Sequence, residues 1–261
     1  MMHDPVAEVS DLSGLPGLLL LDARDAPAYD ANHPAGAVRV PVAEWVALAK
    51  ADGTSFDNVA FWESRIAGLG VGDDTHVVVY DDGRMTEAAR VWFILQYFGA
   101  TVSILNGGWK ALEGHAAQVL SARSHEGFRA RPGSGRVGLT DRDALKARLD
   151  EVAVFDSRTQ AEHTGDDLRN NRRGGRLPGA RLLPHAHLLE NGRLRQTDEL
   201  RRLIDQAGFS PSQRVVTHCD AGGRAALAAV AAVRAGFDKV DVYYLSFSDW
   251  AADESCPIER E

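Results

Sequence analysis

Near its end the chain reads Arg214-Val215-Val216-Thr217-His218-Cys219-Asp220-Ala221-Gly222-Gly223-Arg224, and the alanine-rich segment 225–230 follows directly. The β-branched run before Cys219 predicts a strand, and the alanine-rich run after Arg224 predicts a helix. The two glycines between them can adopt the positive φ angles that a tight curl of the backbone requires. The sequence therefore predicts a strand, a short loop and a helix, with Cys219 at the first position of the loop.

Cys219 is predicted to be a nucleophile. The N–H groups of the loop can converge on its sulfur, and the positive end of the following helix is directed at the same point. A thiol in such a place ionises more readily than a free cysteine, unless the carboxylate of Asp220 faces it. Packing does not explain Gly222 and Gly223, which weaken the start of a helix. Nor does it explain Arg224 in the first helical turn, where a bound anion would compensate its charge.

Length and composition bound the possible functions. With 261 residues, 44% hydrophobic and 25% charged, the chain has the size and composition of a soluble protein with one large or two ordinary domains. Its formal net charge of −8 gives no electrostatic reason to expect nucleic acid or an anionic membrane as a partner. No signal peptide or membrane-spanning run is expected. Two cysteines, Cys219 and Cys256, predict no disulfide framework and a reducing, cytoplasmic location.

The two halves of the chain share a weak internal duplication. The corresponding segments are 20–24 and 154–158, 35–41 and 178–184, 75–81 and 213–219, 87–98 and 224–235, and 102–105 and 240–243. A period this long indicates two domains and not a solenoid. The alternation of strands and helices predicts a parallel α/β sheet in each domain.

The domain boundaries follow from composition. The polar, glycine-rich stretch 122–138 is typical of a linker. We therefore expect a first domain over residues 1–125, a linker over about 126–138 and a second domain over 139–261. Asp81 stands in the first half where Cys219 stands in the second. Because a carboxylate cannot replace a thiol in attack on sulfur, the first domain is predicted to be catalytically silent.

These residues resemble the tandem-domain rhodanese family, the thiosulfate and 3-mercaptopyruvate sulfurtransferases. The likeness covers nearly the whole chain. It rests on Asp22-Ala23-Arg24, Asp156-Ser157-Arg158, Pro178-Gly179-Ala180, Tyr80-Asp81-Asp82, Asn106-Gly107-Gly108-Trp109, the Cys219 loop and Ser246-Phe247-Ser248-Asp249-Trp250. The resemblance implies two rhodanese-like α/β domains, each a mostly parallel sheet flanked by helices, with one active site at Cys219.

The resemblance also implies a chemistry. The Cys219 thiolate would take the outer sulfur of thiosulfate as a persulfide and pass it to cyanide, a small thiol or a protein thiol. Arg224 would neutralise the anionic donor. The residues that would cradle the sulfur or the donor are Asp220, Ala221, Gly222, Gly223 and Arg224. No metal or organic cofactor is implied, and His185 and His187 are interpreted as surface residues without metal-ligand spacing.

The choice of sulfur donor rests on departures from the family pattern. The loop Cys-Asp-Ala-Gly-Gly-Arg is neither the Cys-Arg-Lys-Gly-Val-Thr of animal thiosulfate enzymes nor the Cys-Gly-Ser-Gly-Val-Thr of mercaptopyruvate enzymes, and it is similar to bacterial loops assigned to thiosulfate. Glu162 lies in the stretch where the mercaptopyruvate branch has a carboxylate-binding arginine, and its charge would repel a carboxylate. Arg169, Arg172 and Arg173 either replace that arginine or form a solvated basic loop. Thiosulfate is therefore favoured, with 3-mercaptopyruvate as the alternative.

Two further classes of function stay open. Cysteine-dependent phosphatases and arsenate reductases use the same strand, loop and helix but place five residues between cysteine and arginine. Four residues separate Cys219 from Arg224, which leaves room for one sulfur atom and not for a phosphate. The other alternative is a carrier module that forms a persulfide and delivers it to one partner protein without turnover on small acceptors.

Overall fold

The computed structural model describes residues 4–119, 121 and 127–260. These residues divide into two compact units. The first unit extends to Arg136 and includes 191–193, and the second begins at Val137 and includes the rest.

A five-stranded parallel sheet forms the centre of the first unit. Its strands are β1 (Val6–Ala7), β2 (Leu18–Asp22), β3 (Val38–Arg39), β4 (His76–Tyr80) and β5 (Thr101–Leu105). Their order across the sheet is β1-β5-β4-β2-β3, and the neighbouring strands run parallel. Every residue of β2 and β4 is buried, as expected for apolar strands in a parallel sheet that helices cover on both faces.

Among the described residues of this unit, five α-helices accompany the sheet. They are α1 (Ala26–Ala31), α2 (Val42–Lys50), α3 (Val59–Ala67), α4 (Thr86–Tyr97) and α5 (Gly108–Leu112), with 3-10 helices at Val9–Gly14 and Glu113–Gln118. The helix that the sequence places at 87–98 is α4, and Gly99 with φ 91° follows its end. An aromatic cluster around Trp62 packs α2, α3 and α4 together, with Trp45 at 5.4 Å and Phe98 at 5.8 Å between ring centroids.

The second unit repeats this topology. Its strands are β6 (Gly138–Thr140), β7 (Ala153–Asp156), β8 (Arg181–Leu182), β9 (Leu189–Glu190), β11 (Val215–His218) and β12 (Val240–Tyr243). Leu194 of β10 (Arg193–Leu194) also belongs to this unit, whereas Arg193 is assigned to the first. The parallel sheet has the order β6-β12-β11-β7-β8, and β9 and β10 lie outside it. Each of its strands therefore occupies the place of its counterpart in the first unit.

The described α-helices of the second unit are 5 to 12 residues long, as in the first unit. They are α6 (Arg142–Lys146), α7 (Gln160–Thr164), α8 (Thr197–Gln206), α9 (Gly223–Arg234) and α10 (Ser246–Ala252), with a 3-10 helix at His185–Leu188. Helix α9 is apolar around most of its circumference and packs against β11 and β12. The predicted fold class, two α/β domains with mostly parallel sheets flanked by helices, is confirmed.

The segment that the sequence assigns to a linker, 126–138, packs against the first unit over much of its length. Phe128 is buried, and the Arg131 N–H donates to the carbonyl of the residue that caps α4 at 2.8 Å. Gly138 already opens β6. Residues 122–126, where the sequence ends the first domain, lie outside the described residues. The buried Phe128 ring and a few backbone hydrogen bonds hold the described part of this segment in place.

Among the helices of the described residues, none has both the length and the apolar character needed to span a bilayer. The cytoplasmic location stays a prediction of the sequence.

Candidate active site

Cys219 follows the last residue of β11 and is 1% exposed. It lies at the carboxyl edge of the second sheet, the edge at which parallel α/β sheets bind their ligands. Three residues separate it from the first residue of α9, Gly223. The predicted order of strand, cysteine, loop and helix is therefore present.

One loop amide is aimed at the sulfur. The Gly222 N–H donates to Cys219 Sγ at 3.0 Å. Gly222 caps α9 with φ 96°, a left-handed conformation that costs glycine little and other residues more. This geometry turns the amide toward the sulfur, as the sequence predicts for the loop. Gly223 is the first helical residue, and Ala221 is a half-buried part of the loop.

A buried serine outside the loop also contacts Cys219. The Ser246 hydroxyl oxygen accepts a hydrogen bond from the Cys219 N–H at 3.1 Å and lies 3.8 Å from Sγ. The hydroxyl is also 2.8 Å from the Tyr243 carbonyl, to which it donates. Ser246 is fully buried with φ 61°, a conformation that costs a non-glycine residue about 1 kcal/mol or more. The surrounding structure thus holds the hydroxyl at the sulfur against local strain.

The start of α10 fixes the backbone of the loop. The Phe247 N–H donates to the Cys219 carbonyl at 3.0 Å, and the Ser248 N–H donates to the Asp220 carbonyl at 3.1 Å. The Asp220 carboxylate accepts a hydrogen bond from Asn171 Nδ2 at 2.8 Å. These contacts come from residues outside the loop, and they fix its conformation.

Arg224 forms a bidentate ion pair with Glu162. Arg224 Nη1 is 2.6 Å from Glu162 Oε2, and Nη2 is 2.7 Å from Oε1. Glu162 is 1% exposed and also accepts hydrogen bonds from the N–H and hydroxyl of Thr159, each at 3.0 Å. Burial alone would raise the pKa of Glu162, but the hydrogen bonds from Arg224 and Thr159 outweigh it and lower that pKa to about 2.

This ion pair corrects two expectations. The sequence treats Glu162 as an isolated anion that repels a carboxylate, whereas the Arg224 guanidinium compensates its charge. Likewise, Arg224 is not an unshared cation that waits for an anionic donor. Burial opposes the charge of Arg224, while its hydrogen bonds to Glu162 and the nearby charge of Cys219 raise its pKa.

A second cluster of buried charged groups lies at the carboxyl ends of β7 and β11, next to the loop. Asp156 at the end of β7 receives Arg158 Nε at 2.9 Å and Nη2 at 2.6 Å, and His163 Nδ1 lies 2.8 Å from its Oδ2. His218 Nε2 lies 3.7 Å from the same oxygen. The Arg158 guanidinium also stacks over the Phe247 ring at 4.0 Å. Arg158 is therefore a structural ion-pair partner of Asp156.

The burial of His218 predicts an acid-sensitive step in stability. Burial lowers the pKa of His218 to about 4, despite the opposing attraction of Asp156. The unfolded chain, with its histidine near 6.5, therefore binds the additional proton first as pH falls. The second unit is expected to keep its full stability above about pH 6.5 and to lose about 3 kcal/mol as pH falls to 4.

Hydrogen exchange of the β11 amides at pH 7 and pH 4.5 measures this loss, after correction for the intrinsic rate. His218→Gln is expected to remove most of the difference between the two pH values. Equal protection of the wild-type amides at both pH values would contradict the prediction.

In the first unit, the corresponding loop surrounds the carboxylate of Asp81. Asp81 follows β4, and its carboxylate accepts four backbone hydrogen bonds. Oδ1 receives the N–H groups of Gly83 at 2.9 Å and Met85 at 3.0 Å, and Oδ2 receives those of Glu87 and Ala88, each at 3.2 Å. Burial raises the pKa of Asp81, and these hydrogen bonds oppose that rise. The curled loop of this fold is therefore able to surround an anion with amides.

Two segments of the chain, 5–115 and 141–253, match the family model of the rhodanese-like domain. The chain belongs to the rhodanese family. This confirms the resemblance drawn from the duplicated motifs, and it places both copies of the rhodanese-like domain where the two parallel sheets lie.

Individual relatives include two kinds of sulfurtransferase. The chain is 31% identical to the 3-mercaptopyruvate sulfurtransferase of Escherichia coli in an alignment of length 201 that covers 73% of this chain and 70% of that protein. It is 28% identical to the thiosulfate sulfurtransferase of Azotobacter vinelandii in an alignment of length 272, gaps included, that covers 97% of this chain and 96% of that protein. Rhodanese-type sulfurtransferases are thus similar to this chain over most of its length.

Solved structures show the same rhodanese fold. The crystal structure of the 3-mercaptopyruvate sulfotransferase of Escherichia coli has a TM-score of 0.72 at 24% identity, with 94% of this chain and all of that one covered. The anaerobic ergothioneine biosynthesis enzyme of Chlorobium limicola has a TM-score of 0.79 at 20% identity and covers 93% of this chain. This chain spans 64% of the length of that enzyme.

One of the basic residues after α7, Arg173, has a role that the sequence does not predict. Arg173 lies inside the second rhodanese-like domain, where its guanidinium donates to four backbone carbonyls. These carbonyls belong to Trp250, Ala251, Asp253 and Cys256. Arg173 is therefore neither a substrate ligand nor a solvated side chain, whereas Arg169 and Arg172 are exposed.

The histidines of the 3-10 helix differ from each other. His187 is exposed, as predicted for a surface residue, but His185 is half-buried, and burial lowers its pKa. In the part of the chain that the structure describes, no group of three or more His, Cys, Asp or Glu side chains is arranged to hold a metal ion.

Sequence reasoning missed one residue that contacts Cys219 and one ion pair of the site. The sequence assigns no role to Ser246, although alignment of 106–109 with 244–247 places it opposite Gly108. Gly108 has φ 56°, close to the 61° of Ser246. A serine at a position that elsewhere needs glycine is the signal that could have identified it. The pairing of Glu162 with Arg224 has no comparable signal, because the two residues are 62 positions apart in the sequence.

Proposed function

We propose that this rhodanese is a sulfurtransferase that moves sulfane sulfur from thiosulfate to cyanide or a thiol through a persulfide of Cys219. The second domain carries the site, and the first, with Asp81 at the corresponding position, is catalytically silent. The proposed loop residues are Asp220, Ala221, Gly222, Gly223 and Arg224. A protein thiol is a possible acceptor.

The proposal rests on how backbone amides of the first unit bind the carboxylate of Asp81. Helix α4 begins five residues after Asp81 and helix α9 four residues after Cys219, so the second loop is one residue shorter. Met85 and Gly222 correspond as the residues that cap these helices. The amides of Met85 and Gly222 point at Asp81 Oδ1 and Cys219 Sγ respectively. The next donors in the first unit, the second and third residues of α4, hold Asp81 Oδ2. In α9 the same two amides belong to the first helical turn and find no acceptor within the helix.

A persulfide on Cys219 would supply an acceptor for these two amides of α9. Its inner sulfur takes the place of Asp81 Oδ1, and its anionic outer sulfur takes the place of Oδ2. The first-turn amides of α9 would then donate to the outer sulfur, and the positive end of the helix would stabilise its charge. One additional sulfur atom is thus enough to pair both first-turn amides.

The two steps conserve atoms and electrons. In the first, the Cys219 thiolate attacks the outer sulfur of thiosulfate, a sulfur–sulfur bond forms, and the bond to sulfite breaks with its electron pair leaving on sulfite. In the second, cyanide attacks the outer sulfur of the persulfide, and thiocyanate leaves as the Cys219 thiolate returns. Division of one transfer into two displacements lowers each barrier.

Thiosulfate as donor is supported by relatives that align from end to end. The thiosulfate sulfurtransferases of Azotobacter vinelandii and Pseudomonas aeruginosa each cover 97% of this chain and are covered to 96% themselves. The use of Arg173 by backbone carbonyls also removes one candidate ligand for the carboxylate of 3-mercaptopyruvate. The second candidate donor is 3-mercaptopyruvate, supported by the 31% identity to the enzyme of Escherichia coli.

Parallel assays distinguish the two donors. Release of sulfite and thiocyanate from thiosulfate plus cyanide is measured beside release of pyruvate from 3-mercaptopyruvate. We expect turnover of thiosulfate with little pyruvate. A strong preference for 3-mercaptopyruvate would assign the chain to the other branch, and inactivity on both would favour the phosphatase or the carrier alternative.

The phosphatase and carrier alternatives have less support. A phosphatase needs its loop arginine to hold a tetrahedral oxyanion, but Arg224 is engaged by Glu162 with both terminal nitrogens. A carrier would form the Cys219 persulfide and yet give no turnover on cyanide.

Ser246→Gly is expected to lower kcat/KM for thiosulfate about 10-fold. The loss corresponds to about 1.4 kcal/mol, the scale of one hydrogen bond, here the bond that the Cys219 N–H donates to the hydroxyl beside the sulfur. Stability should change little, because glycine accepts the φ of 61° without strain and Gly108 already does so in the first unit. Steady-state kinetics and a melting curve test this, and an unchanged kcat/KM would remove the hydroxyl from the mechanism.

A further inference from the structure

The charged side chains around Cys219 do not favour a doubly charged donor. Arg224 supplies one positive charge, while Glu162 and Asp220 supply one negative charge each, and Asp220 is close enough to influence the guanidinium. His185 adds no charge near neutral pH, because burial and the charge of Arg224 both lower its pKa. These side chains therefore sum to a formal charge of −1, although the loop is built to hold an anion.

Burial and hydrogen bonds hold the carboxylate of Glu162 in one position. It is 1% exposed, and it closes a capping box with Thr159 at the start of α7. Both of its oxygens are engaged by the two terminal nitrogens of Arg224. Separation of such a buried pair would leave an uncompensated charge, so Arg224 meets an incoming donor already neutralised.

The amides and the side chains select for different charges. Backbone N–H groups and a helix N-terminus suit one anionic sulfur, because they supply partial charges directed at one point. A full guanidinium charge would be needed to favour a second negative charge on the donor, such as that on the sulfonate end of thiosulfate. Glu162 removes that advantage.

We propose that Glu162 is a specificity-determining residue that acts through Arg224 and lowers the preference of the Cys219 site for doubly charged over singly charged sulfane-sulfur donors. The inference rests on the proposed function. The singly charged class consists of organic thiosulfonates, in which an alkyl group replaces one oxygen of thiosulfate. Attack of Cys219 on either donor forms the same persulfide, and sulfite or an alkanesulfinate leaves with the electron pair.

The test compares thiosulfate and methanethiosulfonate as donors to cyanide. Glu162→Gln is expected to raise the ratio of their kcat/KM values, thiosulfate over methanethiosulfonate, about 10-fold, mainly through a lower KM for thiosulfate. The ratio should also depend more steeply on salt, since an unshared cation attracts the dianion more strongly. Arg224→Gln, which leaves Glu162 without its cation, is expected to shift the ratio in the opposite direction.

Three control variants separate charge from structure. Glu190→Gln makes the same chemical change at an exposed pair with Arg195 and should leave the ratio unchanged. Thr159→Ala weakens the capping box but keeps the ion pair, and Glu162→Asp keeps the charge; both should stay near the wild-type ratio. Melting curves identify any variant that does not fold.

Each outcome decides a different question. An unchanged ratio in folded Glu162→Gln, or an equal shift in Thr159→Ala, would overturn the inference. If Glu162→Gln does not fold, the inference is tested with Arg224→Gln and Glu162→Asp instead. A wild-type ratio of the two kcat/KM values in Arg224→Gln would then overturn the inference. Failure of the wild type to form a Cys219 persulfide with either donor would instead overturn the proposed function.

Discussion

Replacement of Cys219 by serine is expected to reduce kcat/KM for sulfur transfer from thiosulfate to cyanide by about 10⁴-fold or more, the scale on which enzymes lose activity with their nucleophile. A serine oxygen cannot form the persulfide, so the second displacement has no starting point. The fold should tolerate the change, because the Gly222 N–H and Ser246 retain a polar partner of similar size at this position. Thiocyanate release under saturating cyanide measures the effect.

Cys256→Ser is the matched control. Cys256 is as buried as Cys219 and lies in the core of the same unit, packed with Trp250 and Tyr243. Burial raises the pKa of Cys256, which disfavours the thiolate that a nucleophile needs. We expect this variant to lose some stability and to keep turnover. Turnover that survives in Cys219→Ser, or disappears in folded Cys256→Ser, would contradict the assignment of the nucleophile.

Asp156→Ala is expected to destabilise the second unit by about 3–5 kcal/mol. The substitution leaves the Arg158 guanidinium, whose side chain is 2% exposed, without the carboxylate that compensates it. It also removes the partner of His163 Nδ1. Because Asp156 ends β7 and His218 ends β11, the damage should be concentrated in these two strands. Hydrogen exchange, followed segment by segment, measures it as a loss of protection there.

Asp22→Ala is the equivalent change in the first unit. Asp22 receives Arg24 Nε at 3.0 Å and Nη2 at 2.6 Å, and the Tyr80 hydroxyl donates to it at 2.7 Å. The loss of protection should then fall in β2 and β4. Unchanged protection of β7 and β11 in Asp156→Ala would show that the buried cluster contributes little to stability.

Much of the fold could be predicted from the sequence because its strands are buried on both faces. Runs such as 18–21 and 77–79 are then uninterrupted and apolar, and they stand out without an alternating pattern. The helices could be bounded because Gly99 and Gly236 follow them in left-handed conformations, with φ of 91° and 95°. The duplication then gave the same order of elements twice.

The site could be predicted only where its contacts are local. Cys219 and Gly222 are three residues apart, so the sequence indicates their approach, and the distance of 3.0 Å agrees with it. The Thr159-x-x-Glu162 pattern indicates a helix cap but not that the same carboxylate pairs with Arg224, which the topology of the sheet brings near. Arg173 shows the same limit, since its four carbonyl partners lie 77 to 83 residues away.

The persulfide on Cys219 is the central claim, and the mass of the intact protein after brief exposure to thiosulfate tests it most directly. A persulfide mechanism predicts that the wild type gains the mass of one sulfur atom, that peptide mapping places it on Cys219, and that cyanide removes it with release of one thiocyanate. No mass gain in the folded wild type, or a sulfur atom found on another residue, would contradict the mechanism.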